Sequence, residues 1–127
     1  MALEHAQPLE VINVHPLREG LRQTPSHSLL KTEKLQLMRV VLPAGEGMPP
    51  HHIEGEVSIL CIEGLVLVRS PGRSCKLAPG QLVVLPPGEP HSVLAEDDSS
   101  LLVTLLLHQQ APQATADAPL QSSAPPR

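Results

Sequence analysis

Proline and glycine divide this chain into short segments, and this punctuation constrains its fold more than any other feature. Fifteen of the 127 residues are proline and eight are glycine. Proline ends an α-helix because it lacks the backbone N–H and clashes with the preceding turn, and glycine marks turns. The segments between them are rich in leucine and β-branched residues and show no 3.6-residue periodicity. The sequence therefore predicts an all-β chain.

The apolar segments are spaced like the strands of a small barrel. They recur about every 8 to 12 residues, which is typical of sandwiches and barrels of antiparallel strands. The predicted strands are 34–42, 56–62, 65–70, 73–78, 81–85, 91–95 and 100–107. Residues 8–14 and 26–31 are expected as two further strands with 17–25 as their connection, and 43–50 as a loop. Glu63-Gly64 is expected to form a tight hairpin turn.

The segment 34–42 alternates between two kinds of side chain. Leu35, Leu37 and Val41 are predicted to form its drier face, in which Arg39 is the odd member. The wetter face is expected to carry Gln36, Met38 and Val40.

The chain is expected to form one domain with a tail. Residues 34–107 would be the core, and residues 1–33 would add strands and a connection to the same barrel. Residues 108–127 consist almost entirely of Ala, Pro, Gln and Ser, with little to bury. Such a composition predicts a disordered tail.

The chain contains no Phe, Tyr or Trp, and its formal net charge is −4. Nucleic-acid-binding proteins combine basic surfaces with aromatic stacking platforms, so nucleic-acid binding is not expected. No apolar run approaches the roughly 18 residues of a membrane span, and the N-terminus lacks the pattern of a signal peptide. We therefore expect a cytoplasmic protein without membrane contact. Cys61 and Cys75 match no zinc or redox spacing and are expected to be reduced thiols.

One segment carries a specific motif. In GQLVVLPPGEPH, Gly80 is followed by five residues and Pro86, then one residue and Gly88, then two residues and His91. Glycine and proline turn the chain into a strand and out of it, so that His91 opens the next strand. The segment resembles the second conserved motif of the cupin superfamily, whose final asparagine would fall on Ala95. The resemblance covers roughly residues 35–107 and implies a single-domain cupin, an antiparallel β-barrel or jelly roll.

The first motif of that family is incomplete here. Counting from Gly45 and from Gly64 gives the same register in GEGMPPHHIEGEVSILCIEG, and it places His51 at the first histidine. In this glycine-anchored register, Ile53 stands at the second histidine and Val57 at the glutamate.

A register shifted by one residue places different side chains at the same positions. His52 then stands at the second histidine and Glu56 at the glutamate, but Pro50 stands at the first histidine. Neighbouring residues of a regular strand point to opposite faces, so only a bulge would turn both His51 and His52 inward.

In the family, the residues of these two motifs bind a divalent metal inside the barrel. The shifted register implies a site of His52, Glu56 and His91, a 2-His-1-carboxylate set for which Fe, Mn, Ni and Zn are candidates. The glycine-anchored register leaves only His51 and His91, so that metal would be absent or weakly held. We favour this second register because two glycine counts support it.

The resemblance predicts a ligand pocket inside the barrel, with His51, His52, Glu56 and His91 as its candidate residues. The function that we expect is small-molecule binding in this pocket, with a divergent metal site. Two alternatives are a metal-dependent cupin enzyme, dioxygenase-like or an isomerase, and a scaffold without a ligand. A homodimer is also expected, because LVLV and LVTLLL are apolar on both strand faces and such strands need to be covered.

Overall fold

A computed structural model describes residues 5–51 and 53–107, with only the backbone of His51. These residues form nine strands and one short 3₁₀ helix, Arg18–Gln23. The strands are β1 (His27–Lys31), β2 (Leu35–Leu42), β3 (Gly47–His51), β4 (Val57–Glu63), β5 (Val66–Ser70), β6 (Arg73–Leu77), β7 (Leu82–Leu85), β8 (His91–Ala95) and β9 (Ser99–Leu106). Within the described residues, the six-residue 3₁₀ segment is the only helix, and it is too short to span a membrane. The predicted tail at 108–127 lies outside them.

The strands form two antiparallel sheets that pack face to face. The first sheet has the strand order β1-β2-β9-β4-β7, and the second has the order β3-β8-β5-β6. Most connections therefore pass from one sheet to the other, as in a jelly roll. The all-β architecture that was predicted from the proline and glycine spacing is confirmed.

The core lies between the two sheets and is built from aliphatic side chains and one cysteine. Strands β2, β4, β5, β8 and β9 each contribute alternate residues to it, because successive side chains point to opposite faces. Ile59 of β4 and Leu101 of β9 are almost completely buried, as is Val66 of β5 on the opposite sheet. Burying each such side chain contributes about 1.5–3 kcal/mol. The centre of the barrel interior is therefore filled by apolar side chains.

The predicted faces of β2 are wrong. Val40 and Leu42 point into the core, and Met38 packs against it, so the face expected to be wetter is the inner one. Arg39 and Val41 point to the other side, where they are nevertheless buried. The cause is the N-terminal segment, whose 3₁₀ helix contacts β2 from outside.

Three further expectations about local structure are also wrong. Residues 8–14 contain no strand, and the segment 43–50, expected as a loop, includes most of β3. Pro49 and Pro50 are tolerated there because β3 is the edge strand of its sheet. Glu63-Gly64 does not close a hairpin, since β4 and β5 belong to different sheets.

Gly64 carries the chain across the gap between the sheets. Its φ is 93°, a conformation that suits glycine. A Cβ atom at this position would lie 2.2 Å from Oγ of Ser99 and 2.4 Å from the carbonyl oxygen of Asp98. The crossing therefore requires glycine both for its backbone angle and for its close approach to the start of β9.

Candidate ligand pocket

His91 is the first residue of β8 and points toward the interior. It is only 4% exposed, and it shares its strand face with Val93 and Ala95, which belong to the core. Its Nδ1 lies 3.2 Å from the carbonyl oxygen of Glu89. The turn at Pro86-Pro87-Gly88 thus places the imidazole of His91 at the edge of the apolar core.

The backbone of His51, one of the two histidines of the first motif, lies beside this position in the fold. The backbone of His51 pairs with that of His91 in the ladder between β3 and β8, and the ladder is irregular between Met48 and His51. The His51 side chain and all of His52 lie outside the described residues. The choice between the two registers for these histidines stays a prediction.

The side chains of Glu56 and Val57 differ in burial. Val57 begins β4, is 3% exposed, and packs in the core with Ile59. Glu56 precedes the strand and its side chain is exposed, while its carbonyl oxygen accepts a hydrogen bond of 2.9 Å from the backbone N–H of Leu106. The position that the glycine-anchored register assigns to the family glutamate is therefore occupied by a buried valine.

The described residues do not fit a cupin metal centre. An open-sided site needs about three nitrogen or oxygen ligands. Among residues 5–50 and 53–107, no three His, Cys, Asp or Glu side chains converge on one point. His91 is the one motif histidine whose side chain is described, and an apolar side chain stands where the carboxylate would be.

A pocket of about 310 Å³ opens at the edge of the barrel, between β5 and β6 of one sheet and β7 of the other. Its floor is apolar and is formed by Val68, Val83 and Leu85. These three residues belong to the inward faces of their strands, as the pairing of Val83 with Ile59 shows. The volume lies at the lower end of the usual range for ligand sites, about 300–1,000 Å³.

The rim of this pocket is polar. Ser70 and Arg73 pair across the hairpin that joins β5 and β6, so they lie on the same sheet face as Val68. Glu89 lines the pocket from the segment before β8. His91 follows two residues later but is not among the described residues that line the pocket. Arg73 and Glu89 make no side-chain hydrogen bond or ion pair with other described residues.

A family model provides the decisive comparison. The model of the AraC-like ligand-binding domain matches residues 43–127. The chain belongs to this family. Its match contains both cupin motif regions from His51 to His91, and it contains β3 to β9, which form both walls of the pocket. Comparison with curated proteins gives no significant match.

Solved structures similar to this AraC-like domain support its fold. A conserved protein of unknown function from Streptococcus pyogenes is 20% identical, with a TM-score of 0.67 over 87% of this chain and 100% of that chain. An RmlC-like cupin from Desulfovibrio desulfuricans is 25% identical, with a TM-score of 0.60 over 82% and 96%. Salicylate 1,2-dioxygenase from Pseudoaminobacter salicylatoxidans is 22% identical, with a TM-score of 0.59 over 63% and 25%. The expected cupin fold is confirmed.

A buried polar cluster on the outside of the AraC-like domain was not foreseen from the sequence. Arg39 of β2 is 4% exposed and donates hydrogen bonds to the carbonyl oxygens of His15 (2.8 Å) and Asn13 (3.4 Å). Glu63 accepts hydrogen bonds from the backbone N–H groups of Leu17 and Arg18. These two charged side chains fix the N-terminal segment to the first sheet.

The two charges of this cluster also act on each other. Burial lowers the pKa of Arg39, and the charge of Glu63 partly offsets this effect. Burial alone would raise the pKa of Glu63, but hydrogen bonds from Ser100, Leu17 and Arg18 and the charge of Arg39 outweigh it and lower the pKa. The lowered pKa keeps Glu63 ionised at neutral pH, and an arginine guanidinium stays protonated in proteins. The two charged groups hold the N-terminal segment against the first sheet.

No described residue that lines this pocket was among the candidates predicted from the sequence, and Arg73 and Glu89 are its charged members. Neither belongs to a motif position, and exposed charged residues near turns are common in any sequence. Only the strand pairing shows that Arg73 shares the inner face with Val68 and Ser70. A weak sequence signal that Glu89 lies near the site was its position inside the second motif, between Gly88 and His91.

Proposed function

We propose that this AraC-like domain binds a small organic molecule in the pocket between β5, β6 and β7. The observation that carries the proposal is the combination of an apolar floor, Val68, Val83 and Leu85, with a polar rim that includes Ser70 and Arg73. Pockets that bind small ligands are typically lined by apolar side chains with a few polar groups that fix orientation. The family match, a ligand-binding domain, supports the same reading.

We propose that His91 acts as a positioning residue beside the pocket. It is buried on the same sheet face as the pocket floor, and its Nδ1 lies 3.2 Å from the carbonyl oxygen of Glu89. This contact ties the imidazole to the backbone of a pocket-lining residue. We propose that His91 holds the Glu89 segment in position beside the pocket.

A metal-dependent reaction is the alternative function. One similar structure is named a salicylate 1,2-dioxygenase, but at 22% identity the likeness supports the fold alone. The buried Val57 and the exposed Glu56 supply no carboxylate to the interior. The pocket geometry therefore favours binding, and metal analysis of protein purified without a histidine tag separates the two functions.

The binding proposal is tested by blocking the pocket. Val83→Trp places a large side chain on the pocket floor, whereas Leu82→Trp places the same side chain on the outer face of β7, where Leu82 is 56% exposed. A library of small fragments is screened by amide NMR shifts on the wild-type protein. We expect hits that perturb residues 68–75 and 83–89, that are lost in Val83→Trp and that persist in Leu82→Trp. Hits that persist equally in both variants would contradict the proposal.

A further inference from the structure

We propose that the ligand of this pocket is a small zwitterion, in which a carboxylate and an ammonium group are separated by a short apolar chain. The inference rests on the proposed function and adds the chemical class of the ligand. Its basis is the presence of one positive and one negative side chain on the same rim, Arg73 and Glu89, with an apolar floor between them.

Arg73 supplies the positive end. It lies at the start of β6 opposite Ser70, and the register puts both residues on the sheet face that carries Val68. Its guanidinium makes no ion pair with a described residue, whereas Arg22 and Lys76 pair with Asp98 and Glu96. A guanidinium presents its donors in a fork that matches a carboxylate, and the Ser70 hydroxyl is a further donor beside it.

Glu89 supplies the negative end. It follows the turn at Pro86 to Gly88, is half-buried, and its carboxylate accepts no hydrogen bond from a described residue. A carboxylate accepts hydrogen bonds only, so its ligand counterpart must be a donor. An ammonium group satisfies this requirement. Its positive charge also balances the negative charge of the Glu89 carboxylate, which would otherwise stay uncompensated in a small pocket.

The sheet order separates the two charges. Arg73 belongs to β6 and Glu89 precedes β8, while β5 lies between these strands. Two strand spacings amount to about 10 Å between the backbones. Val68, Val83 and Leu85 line the same pocket as the two charged residues. A molecule with charges at its two ends and methylene groups between them matches this arrangement.

Four probes with the same carbon chain test the inference: 6-aminohexanoate, hexanoate, hexylamine and hexanol. Binding is measured by amide NMR shifts and by calorimetry. We expect 6-aminohexanoate to bind tightest, and Arg73→Gln to weaken 6-aminohexanoate and hexanoate by about tenfold, since a charge-assisted hydrogen bond is lost. Glu89→Gln should weaken 6-aminohexanoate and hexylamine to a similar extent.

Two substitutions of charged residues outside the pocket serve as matched controls. Arg69→Gln removes an arginine from the same hairpin, but Arg69 is not among the described residues that line the pocket, so this substitution should leave all four affinities unchanged. Glu54→Gln removes an exposed carboxylate outside the pocket. Hexanol should bind the wild-type protein, Arg73→Gln and Glu89→Gln equally.

The outcomes separate the two proposals. If hexanol binds at residues 68–75 and 83–89 but neither charge substitution changes the affinity of any probe, the zwitterion inference is overturned and the binding function stands. If 6-aminohexanoate binds no tighter than hexanoate and hexylamine, the inference is likewise overturned. If no probe, including hexanol, perturbs these residues and the fragment screen also gives no hit there, both proposals fail.

Discussion

The hydroxyl of Ser100 on β9 donates a hydrogen bond to the carboxylate of Glu63 on β4, on the outer face of the first sheet. The same carboxylate accepts hydrogen bonds from the backbone N–H groups of Leu17 (2.7 Å) and Arg18 (2.9 Å). One side chain thus joins two neighbouring strands to the N-terminal segment. Because that segment also buries Arg39, the hydrogen bonds of Glu63 help to hold the N-terminal segment on the outer face of the first sheet.

Glu63→Gln is expected to make the protein less stable at neutral pH. The folded pKa of Glu63 is lowered from its ordinary value of 4.5, so the carboxylate stabilises the fold above that value, and its contribution is lost as the pH falls through the folded pKa. The loss at neutral pH should be about 1–2 kcal/mol, because partial exposure weakens hydrogen bonds to a charged group. Urea unfolding at a series of pH values measures it.

The exposed Glu54 provides the comparison for this pH series. Glu54→Gln should leave the free energy of unfolding almost unchanged at every pH. The difference between wild type and Glu63→Gln should shrink below pH 4.5. A difference that stays constant down to low pH would mean that the substitution acts through packing and that the carboxylate charge has no part in it.

Gly64→Ala is expected to destabilise the domain strongly. The residue has a positive φ, and a Cβ atom would overlap the backbone of Asp98. The combined strain should cost about 3 kcal/mol or more. Gly72→Ala is the matched control, since Gly72 also has a positive φ, of 75°, but has open space around it. It should cost only about 1 kcal/mol. Equal losses in thermal unfolding would show that the close approach at Gly64 is unimportant.

The two cysteines should react with thiol reagents at very different rates. Cys61 is fully buried in the core, burial raises the pKa of its thiol, and its Sγ donates to the carbonyl oxygen of Glu63. Cys75 is exposed and lines the ligand pocket. One thiol per chain should therefore react quickly in the native protein, and the second only on unfolding. Cys75→Ser should abolish the fast phase; if Cys61→Ser abolished it, the inward placement of Cys61 would be wrong.

Binding should protect Cys75 from modification, since this thiol shares the pocket with Arg73. Addition of 6-aminohexanoate is expected to slow the fast phase in the wild-type protein. The protection should decrease in Arg73→Gln.

The sequence predicted most strands because their boundaries are set by local chemistry. Seven apolar segments, most of them bounded by proline or glycine, became β2 and β4 to β9, and the segment at 26–31 became β1. The strand β3 was missed because its prolines are compatible only with an edge strand, and edge position is a property of the whole sheet. The inner face of β2 was misassigned for a similar reason, because the N-terminal segment that dries its outer face is remote in sequence.

The candidate pocket was not predictable from the motifs. The glycine and proline spacing around His91 correctly indicated where β8 begins, and the role of His91 as a pocket residue stays a prediction. Arg73 and Glu89 were not found, because their convergence depends on the order of strands β6, β5 and β8 within the sheet. Residues that are 16 apart in sequence and on strands separated by a third leave no pattern in the composition of either segment that would show them lining one pocket.

We expect the protein to form a homodimer through the outer face of β7. Leu82 and Val84 are 56% and 59% exposed on this face, and the register places them beside Leu60 and Ser58 of β4. Residues 108–127 contain a single large apolar residue, Leu120, so the tail offers little to cover the patch and a second copy is the expected occupant. Light scattering of Leu82→Lys with Val84→Lys should report a monomer and the wild type a dimer.

Leu94→Lys is the control for this substitution, because Leu94 is 45% exposed but lies on β8 of the other sheet. It should leave the dimer intact. A monomeric wild type at micromolar concentration, or dissociation caused by Leu94→Lys alone, would contradict the assigned face.

Metal content decides between the two registers of the first motif. The buried Val57 stands where the glycine-anchored register places the glutamate of the family, and an aliphatic side chain ligates no metal. We therefore expect protein purified without a tag to hold much less than one Fe, Mn, Ni or Zn ion per chain by elemental analysis. Glu56→Ala should not change that content, because the side chain is exposed. If instead His52→Ala and Glu56→Ala each removed a stoichiometric metal that His51→Ala retained, the shifted register would be correct, and the domain would have an interior carboxylate ligand after all.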